Sequence, residues 1–371
     1  MACKILLGVV YSNWDVEFII GIKKDPEVLM ELDKALIVLN LLVPEATDLV
    51  LKRYNVLRTI KNCQPIGRRL LAINLGVTER VLRSETDRLR NLGLVTIESS
   101  GMSLSELGER MISDTEMLIH RIKGLSDVEN AIQEKLGIKR VCIVEGDYTR
   151  NDIVKRDVGR KAAEIIVTLL EDNMRIGIMG GTTMALIANE IRVSKKFTNL
   201  LVVPGRGGLG ENLEIQANSI AAKMAYNLGA GYKLLHVPDN IGPDILQVLK
   251  ANTQIKNVLD EIKKIDMIIF GIGTAEEMTR RRGLSEIKKD ELKMKKAFAE
   301  ALGYYFNKEG APVLHTDSVG IDLNDLKNIR HAICVAAGAS KADAIYSFSK
   351  YHKDYTLITD EVTAKEILNI K

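Results

Sequence analysis

The 371-residue sequence predicts an α/β protein in which an N-terminal winged helix-turn-helix precedes a large domain built on an open parallel sheet. Two patterns predict this fold class. Residues 48–104 contain three helical segments with short turns and then two short strand-like runs, which is the order of elements in a winged helix. After residue 125, short apolar runs alternate with helical segments, as in a parallel sheet covered by helices on both faces. Glycine-rich turns that end several of these runs are a third observation, and they bear on function.

Composition is typical of a globular protein with one basic segment. Hydrophobic residues make up 46% and charged residues 27% of a chain that is long enough for two or three domains. The net charge is only +3, yet residues 48–100 contain ten Lys or Arg against five Asp or Glu. A basic segment on a slightly acidic body favours contact with phosphate backbones.

The sequence also argues against several classes of protein. Apolar runs stay below the length of a membrane span and the N-terminus lacks the pattern of a signal peptide, so we expect no membrane partner. The cysteines are far apart and the five histidines show no ligand spacing, which predicts a reduced, cytoplasmic protein with no metal site and no cofactor. The cysteines are Cys3, Cys63, Cys142 and Cys334.

The first domain is expected to span residues 30–124, after an N-terminal extension, residues 1–29, to which no role is assigned. The apolar pattern of residues 32–43 predicts a helix that ends at Pro44, of the kind that packs against a neighbour or a second copy. The winged helix follows. Its three helices and two strands are predicted at residues 48–61, 67–75, 79–92, 94–98 and 102–104.

The third helix of this unit has a candidate DNA-reading face. Leu82, Thr86 and Leu89 recur at helical spacing and are expected to face the core, which leaves a polar and basic face opposite them. Arg binds guanine edges bidentately in a major groove, although a solvated helix face has a similar composition. The whole three-helix unit with its wing favours DNA binding. The candidate DNA-binding residues are Arg68 and Arg69 at phosphates, Thr78 as the helix N-cap, and Arg80, Arg83 and Ser84 in the groove.

The second domain is expected to span residues 125–371, beyond a connecting helix at 105–124 that is broken at Gly108. Its strands and helices alternate, except that residues 272–302 are predicted as one long helical stretch. The strands are predicted at residues 138–144, 175–179, 200–204, 233–237, 267–271, 332–336 and 355–359. The other helices are predicted at residues 152–171, 184–192, 212–228, 243–262, 340–351 and from 361 onwards.

Glycine-rich turns are predicted at the carboxyl edge of this sheet, where parallel α/β sheets bind ligands. They are residues 180–183, 204–210, 271–274 and 336–341. The first, Gly-Gly-Thr-Thr, opens a helix, so two glycines without Cβ, two hydroxyls and a helix N-terminus lie together, as in a phosphate-binding turn. It is neither a Walker loop nor a GxGxxG motif. Arg206 and Lys341 lie in two of the other turns, and the four turns together predict a polyanionic ligand.

Each of these candidates has a simpler interpretation. The two threonines of the first turn are also ordinary helix N-caps, and Arg206 and Lys341 are also ordinary surface charges. Gln216 and Asn218 either bond sugar hydroxyls or belong to a solvated helix face. Glu300, predicted in an apolar helix where an isolated carboxylate is costly, either reaches water or accepts from ligand hydroxyls.

Taken together, these motifs resemble the SorC family of bacterial sugar-responsive regulators. The resemblance rests on Gln-Pro-Ile-Gly-Arg-Arg at 64–69, Gly-Gly-Thr-Thr at 180–183, Pro-Gly-Arg-Gly-Gly at 204–208 and Ala-Ser-Lys-Ala-Asp-Ala-Ile at 339–345, and it covers residues 30–371. It implies a sugar-phosphate-binding domain with the fold of sugar-phosphate isomerases and glucosamine-phosphate deaminases. The implied effector is fructose 1,6-bisphosphate, with related sugar phosphates as weaker candidates.

The resemblance also implies roles for residues. Thr182 and Thr183 would bind one phosphate, and Arg206 and Lys341 would serve phosphate as well. Gln216 and Glu300 would meet the sugar. The full set of candidate effector-binding residues is Gly180, Gly181, Thr182, Thr183, Arg206, Gln216, Thr274, Glu300, Ser340 and Lys341. A homo-oligomer is implied too: a dimer of dimers on paired sites in double-stranded operator DNA, whose hold on DNA the sugar phosphate weakens.

Two other functions remain open at this point. An isomerase or deaminase would share the fold, but Asp266, Glu276 and Glu277 near the predicted edge form no convincing acid–base pair, and a DNA-binding unit would have no use there. A structural DNA-binding protein would leave the glycine-rich turns unexplained. We therefore expect a transcriptional repressor without catalytic residues.

Overall fold

The computed structural model describes residues 34–36, 38–208, 212–237, 247–248, 251–316 and 319–371. The extension predicted at residues 1–29 lies outside these residues, as do part of the second glycine-rich turn and part of the helix predicted at 243–262. Contacts between residues divide the chain after Gly124 into two compact units, which we describe separately.

The first unit is a winged helix-turn-helix, which confirms the predicted fold. Residues 34–36 and 38–42 are helical, and Pro44 then opens the next helix four residues earlier than predicted. Proline fits this place because the first N–H groups of a helix have no partner within it. The elements of the unit are α1 (Pro44–Cys63), α2 (Arg68–Leu75), α3 (Glu79–Asn91), β1 (Val95–Glu98), β2 (Gly101–Leu104) and α4 (Glu106–Ile122).

Packing fixes both α3 and the wing in this unit. Leu82 and Leu89 are buried and Thr86 is fully buried, as predicted for the inner face of α3. The turn before α2 is tied to β2, because Ile66 and Met102 exchange backbone hydrogen bonds of 3.0 and 2.8 Å. The strand pair β1–β2 is therefore held beside the start of α2.

Gly108 does not break the connecting helix, so that prediction is wrong. The helix α4 is continuous, and Ser105 caps its N-terminus. A Cβ at position 108 would lie 2.1 Å from the carbonyl oxygen of Leu94. Glycine occupies this position because the helix passes the backbone before β1 too closely for any side chain.

The second unit is built on a parallel sheet of seven strands, in the order β3-β13-β12-β7-β4-β5-β6, which confirms the predicted class. All carboxyl ends of these strands therefore lie at one edge. The strands of the unit are β3 (Arg140–Val144), β4 (Arg175–Ile178), β5 (Leu201–Pro204), β6 (Gly231–Tyr232), β7 (Met267–Phe270), β8 (Ile272–Thr274), β9 (Ala297–Ala301), β10 (Tyr304–Asn307), β11 (Pro312–His315), β12 (His331–Val335) and β13 (Thr356–Asp360).

Helices cover both faces of this sheet and create an apolar core on each face. The central strands are accordingly apolar throughout rather than alternating, as in β7, whose four residues are all buried. The α-helices of the unit are α5 (Leu125–Leu136), α6 (Asp152–Thr168), α7 (Thr182–Glu190), α8 (Ala217–Leu228), α9 (Thr253–Ile262), α10 (Ala275–Arg281), α11 (Glu286–Met294), α12 (Leu323–Leu326), α13 (Ala342–Tyr351) and α14 (Glu361–Asn369).

The long helix predicted at residues 272–302 is wrong. This stretch contains β8, the two short helices α10 and α11, and β9, and an antiparallel sheet forms in the order β11-β10-β9-β8. The turn between β9 and β10 requires Gly303, which has a φ of 90°. Tyr304, Tyr305 and Phe306 then supply aromatic residues that favour strands.

Smaller corrections concern the ends of elements. The strand predicted at 233–237 is irregular; instead β6 pairs with β5. The helix predicted at 212–228 is divided into a 3₁₀ turn at Leu213–Ile215 and α8. The described part of the helix predicted at 243–262 includes α9, which begins after its N-cap Asn252. The helix α5 was not predicted. None of the described helices has the length and apolar character that crossing a membrane requires.

Candidate effector site and nucleic-acid interface

A cavity of about 390 Å³ lies at the carboxyl edge of the parallel sheet. The turns that follow β3, β4, β7 and β12 line it, together with α10 and the end of β9. Three of the four predicted glycine-rich turns therefore meet around one space, because parallel strands deliver their carboxyl ends to the same edge. The predicted effector-binding residues that line this cavity are Gly180, Gly181, Thr182, Thr183, Glu300, Ser340 and Lys341.

The turn after β4 presents the start of α7 to this cavity. Gly181, with a φ of 130°, is the N-cap of α7, and no side chain caps this helix. A Cβ on Gly180 would lie 2.9 Å from the carbonyl oxygen of Ile215, so the turn is also closely packed from behind. A helix start without a side-chain cap offers its first N–H groups and its positive dipole end to an anion.

The two threonines of this turn differ in exposure. Thr182 is exposed, whereas Thr183 is buried and its hydroxyl lies 2.9 Å from the phenol oxygen of Tyr148. Tyr148 comes from the turn after β3, so this contact joins two sides of the cavity. The simple N-cap interpretation does not hold, because neither threonine occupies the N-cap position of α7.

Basic side chains outnumber acidic ones around the cavity. The guanidinium of Arg281 lies 4.0 Å from the carboxylate of Glu277. The ammonium of Lys155 lies 2.7 Å from the carboxylate of Asp152, a residue that does not line the cavity. Lys341 is half-buried and forms no ion pair among the described residues. Burial lowers the pKa of its ammonium group, an effect that the Glu277 carboxylate partly opposes. A cation held in this way gains from a bound anion.

Glu300 lies in the strand β9 and not in a helix, which corrects the prediction. It forms a buried ion pair with Arg282 at 2.6 Å, and the same carboxylate oxygen accepts the backbone N–H of Gly303 at 2.8 Å. Arg282 also donates to the hydroxyl of Thr316 at 3.0 Å. The two charges are therefore paired within the protein, while the Nε atom of Arg282 has no hydrogen-bond partner among the described residues.

Arg206, Gln216 and Thr274 do not line the cavity. Arg206 is 2% exposed and donates to the hydroxyl of Thr316 at 3.0 Å, beside a second cavity of about 380 Å³. Gln216 is the N-cap residue of α8, and the hydroxyl of Thr274 caps α10. The side-chain amide of Asn218 donates to the carbonyl oxygen of Leu235 at 3.0 Å and accepts the backbone N–H of the same residue at 2.9 Å. Asn218 therefore stabilises the backbone there.

Sequence reasoning missed five polar residues that line the cavity. They are Tyr148, Thr149, Lys155, Arg281 and Arg282. The first two follow β3, so the rule that ligands bind at carboxyl ends could have found them. The two arginines were hidden in the stretch predicted as a long helix. Asp266, by contrast, immediately precedes β7 and lies at the amino edge of the sheet, away from the cavity.

In the first unit, α3 exposes the face predicted to contact DNA. Arg80, Arg83 and Ser84 are exposed, opposite the buried side of the helix. Arg69 at the start of α2 is exposed and Arg68 is half-buried. The hydroxyl of Thr78 accepts the N–H of Val81 at 3.4 Å and so caps α3, as predicted.

Glu85 anchors the recognition helix α3 on α1. Its carboxylate lies 3.4 Å from the Lys52 ammonium and 3.3 Å from the Arg53 guanidinium, both on α1. Burial alone would raise the pKa of Glu85, but the hydrogen bonds from Arg53 and Lys52 lower it overall. The negative charge of Glu85 is thereby neutralised by residues of α1.

Comparisons with known proteins match both units. The family profile described as "Putative sugar-binding domain" matches residues 120–369, and the profile of the CggR N-terminal DNA-binding domain matches residues 49–119. The central glycolytic genes regulator of Priestia megaterium is 40% identical over 88% of this chain and 96% of its own length. A solved structure of a "putative SorC family transcriptional regulator" from Enterococcus faecalis is 36% identical over 65% of this chain and 99% of its own, with a TM-score of 0.62.

The chain belongs to the SorC family of transcriptional regulators.

Further relatives extend the likeness along the chain. The central glycolytic genes regulator of Bacillus subtilis is 37% identical over 88% of this SorC-family chain and 96% of its own length. The full-length sorbitol operon regulator SorC from Klebsiella pneumoniae has a TM-score of 0.62 over 87% of this chain and 98% of its own. At 19% identity, that structure supports the fold alone.

Proposed function

We propose that this SorC-family regulator represses glycolytic genes by binding operator DNA through α3 and that it loosens its hold when fructose 1,6-bisphosphate occupies the cavity. Two relatives, each matched by this chain over 96% of its own length, are named as regulators of central glycolytic genes. The DNA-binding and sugar-binding profiles match successive parts of the chain. A coupled pair of sites, one for DNA and one for a sugar, is the simplest use of this arrangement.

One observation carries the choice of a phosphorylated sugar. The uncapped start of α7 and the ammonium of Lys341 belong to the lining of the same cavity, which also contains Arg281. A neutral sugar would gain little from this positive lining, whereas a phosphate would gain charge-assisted hydrogen bonds. A bisphosphate has an anionic group at each end and would use cations on two sides.

In this proposal Thr182, Thr183, Ser340 and Lys341 bind phosphate directly, and Arg281 is added to them. Glu300 offers its carboxylate to sugar hydroxyls while it holds Arg282. Arg206 supports the site from behind, because its guanidinium and that of Arg282 both donate to the Thr316 hydroxyl. We assign Gln216 and Thr274 to the support of the flanking helices.

We further propose that residues 30–124 and 125–371 act as the DNA-binding and effector-binding domains of a cytoplasmic homo-oligomer. A dimer of dimers would place paired recognition helices on paired operator sites, since symmetric half-sites call for a symmetric protein. Catalysis forms no part of the proposal.

The test is an operator titration followed by fluorescence anisotropy, with DNA from upstream of the glycolytic genes. Fructose 1,6-bisphosphate should weaken binding, and unphosphorylated fructose should not. Lys341→Met should lower the affinity for the bisphosphate by about 10- to 100-fold and leave operator affinity unchanged, because a charge-assisted contact is lost. Lys365→Met, which removes an exposed lysine paired with Glu361, is the matched control. Equal loss of response in both variants, or turnover of the sugar phosphate, would contradict the proposal.

A further inference from the structure

Asp360 is a buried carboxylate that lies behind the cavity without lining it. It is the last residue of β13 and is fully buried. An isolated carboxylate in such a place would be costly unless hydrogen bonds satisfied it. Both of its oxygens do accept hydrogen bonds: the donors are backbone N–H groups of the turns after β3 and β12, and the hydroxyl of Thr363 in α14.

One oxygen serves the turn after β12. Oδ1 accepts the backbone N–H of Gly338 at 3.0 Å and the hydroxyl of Thr363, whose oxygen also accepts the same N–H at 2.8 Å. Gly338 has a φ of 111° and directly precedes the 3₁₀ turn Ala339–Lys341. The carboxylate therefore fixes the point from which the chain turns to present Lys341.

The other oxygen serves the turn after β3. Oδ2 accepts the backbone N–H of Tyr148 at 2.9 Å, and the phenol of Tyr148 lies 2.9 Å from the hydroxyl of Thr183. Because β13 lies between β3 and β12 in the sheet, its last side chain can reach both neighbouring turns. One carboxylate thus sets the spacing between the hydroxyl of Thr183 and the ammonium of Lys341.

We propose that Asp360 is a positioning residue for phosphate binding, which holds the Tyr148–Thr183 side and the Lys341 side of the cavity at the separation that the anion requires. This inference rests on the proposed function of the cavity. Asp360 does not touch the ligand; it acts through Tyr148 and Gly338. A carboxylate is required because its partners all donate, two through N–H groups and Thr363 through its hydroxyl, and asparagine would direct its own NH₂ group against one of them.

The chain offers a matched control for the substitution. The carboxylate of Asp266 also accepts a backbone N–H, that of Arg175 at 2.8 Å, but it does so at the amino edge of the sheet. Asp360→Asn and Asp266→Asn therefore remove the same kind of bond at opposite edges. General damage to the sheet would follow from either change, whereas damage to the cavity should follow from the first alone.

The experiment is calorimetric titration of the full-length protein and its variants with fructose 1,6-bisphosphate. Asp360→Asn should weaken binding by about 10- to 100-fold and Asp266→Asn by less than about twofold. Tyr148→Phe should weaken binding several-fold. The double variant Asp360→Asn/Tyr148→Phe should be no weaker than Asp360→Asn, because both changes disconnect the same Thr183 hydroxyl.

The outcomes separate this inference from the proposed function. If the unmodified protein takes up no bisphosphate, the proposed function fails and the inference fails with it. If the unmodified protein binds but Asp360→Asn binds equally well, or if the two substitutions multiply in the double variant, only the inference is overturned. Should Asp360→Asn fail to fold, Thr363→Val removes the hydroxyl shared by Asp360 and Gly338; unchanged affinity in that variant would likewise overturn it.

Discussion

In the proposed function, Lys341 is the residue on which anion binding in the cavity depends most directly. Its ammonium is half-buried, and none of the described carboxylates forms an ion pair with it. Burial lowers its pKa because the charged form loses hydration, and the nearby carboxylate of Glu277 only partly opposes this effect. A lysine in this state is poised to gain a phosphate and to lose its proton more easily than an exposed lysine.

A pH dependence follows from the direction of this shift. The protonated form binds the dianion, so affinity for fructose 1,6-bisphosphate is complete below the pKa of Lys341 in the free protein and falls as the pH rises through it. The fall should begin below the pH at which an ordinary lysine titrates. Calorimetric titrations from about pH 8 to about pH 10 measure it, a range in which the phosphates stay fully ionised.

The control for this prediction is Lys341→Arg, because arginine keeps its charge throughout the range. That variant should bind with an affinity that changes little over the same interval. If the alkaline loss of affinity is as large in the arginine variant as in the unmodified protein, it arises from another group.

At the scale of elements, periodicity and length were enough to predict the parallel sheet and the winged helix. The strand β7 is apolar at all four positions, and the inner face of α3 repeats at helical spacing. Each pattern therefore predicts a single type of element. The region of β8 to β11 was missed because its strands are defined by their partners. The sequence Ala-Phe-Ala-Glu-Ala of β9 is compatible with a helix, and only pairing with β8 and β10 makes it a strand.

Site residues could be predicted where the local sequence determines their position, and not where pairing with a distant segment determines it. Gly180 to Thr183 and Lys341 lie in the turns that follow β4 and β12, so the sheet itself delivers them to the cavity. Arg206 also follows a strand, yet its segment pairs with residues 319–321: the Gly207 N–H donates to Val319 and the Ile321 N–H to Gly205. This pairing, invisible in the local sequence, turns Arg206 towards Thr316 rather than the cavity.

The recognition helix carries a prediction about DNA. Arg80→Ala should weaken operator binding by about 1–3 kcal/mol and affect random DNA much less, because an arginine on the groove-facing side of α3 would contact base edges. Arg69→Ala at the start of α2 should weaken both kinds of DNA alike, since phosphate contacts do not depend on sequence. Anisotropy titrations with operator and scrambled duplexes at one salt concentration give both ratios.

The comparison needs a control outside the predicted interface. Arg110 on α4 is exposed, and among the described residues it forms a single long ion pair, with Glu106 at 3.9 Å, so Arg110→Ala should change neither affinity. Equal losses on operator and random DNA after Arg80→Ala would assign that arginine to the phosphate backbone.

In the proposed function, one chain binds two different polyanions, operator DNA and a sugar phosphate. The net charge of +3 is too small to attract either of them by itself, so the positive charge is local: on the α2–α3 face for DNA and around the cavity for the sugar phosphate. Because the positive charge is local, each ligand is attracted to its own site and not to the protein surface as a whole. Any influence of one ligand on the other must then come from different affinities for different arrangements of the protein.

Such coupling is reciprocal, and reciprocity gives the last prediction. If saturating fructose 1,6-bisphosphate lowers operator affinity by a certain factor, saturating operator must lower bisphosphate affinity by the same factor. Calorimetry with and without operator, set against anisotropy with and without bisphosphate, measures the two factors on the same protein. Lys341→Met should keep the operator affinity of the ligand-free protein, since the substitution removes a contact with the effector and none with DNA. A factor that keeps growing with the bisphosphate concentration and never levels off would mean that the sugar phosphate competes at the DNA-binding surface, and factors that change with the protein concentration would mean that it changes the number of subunits.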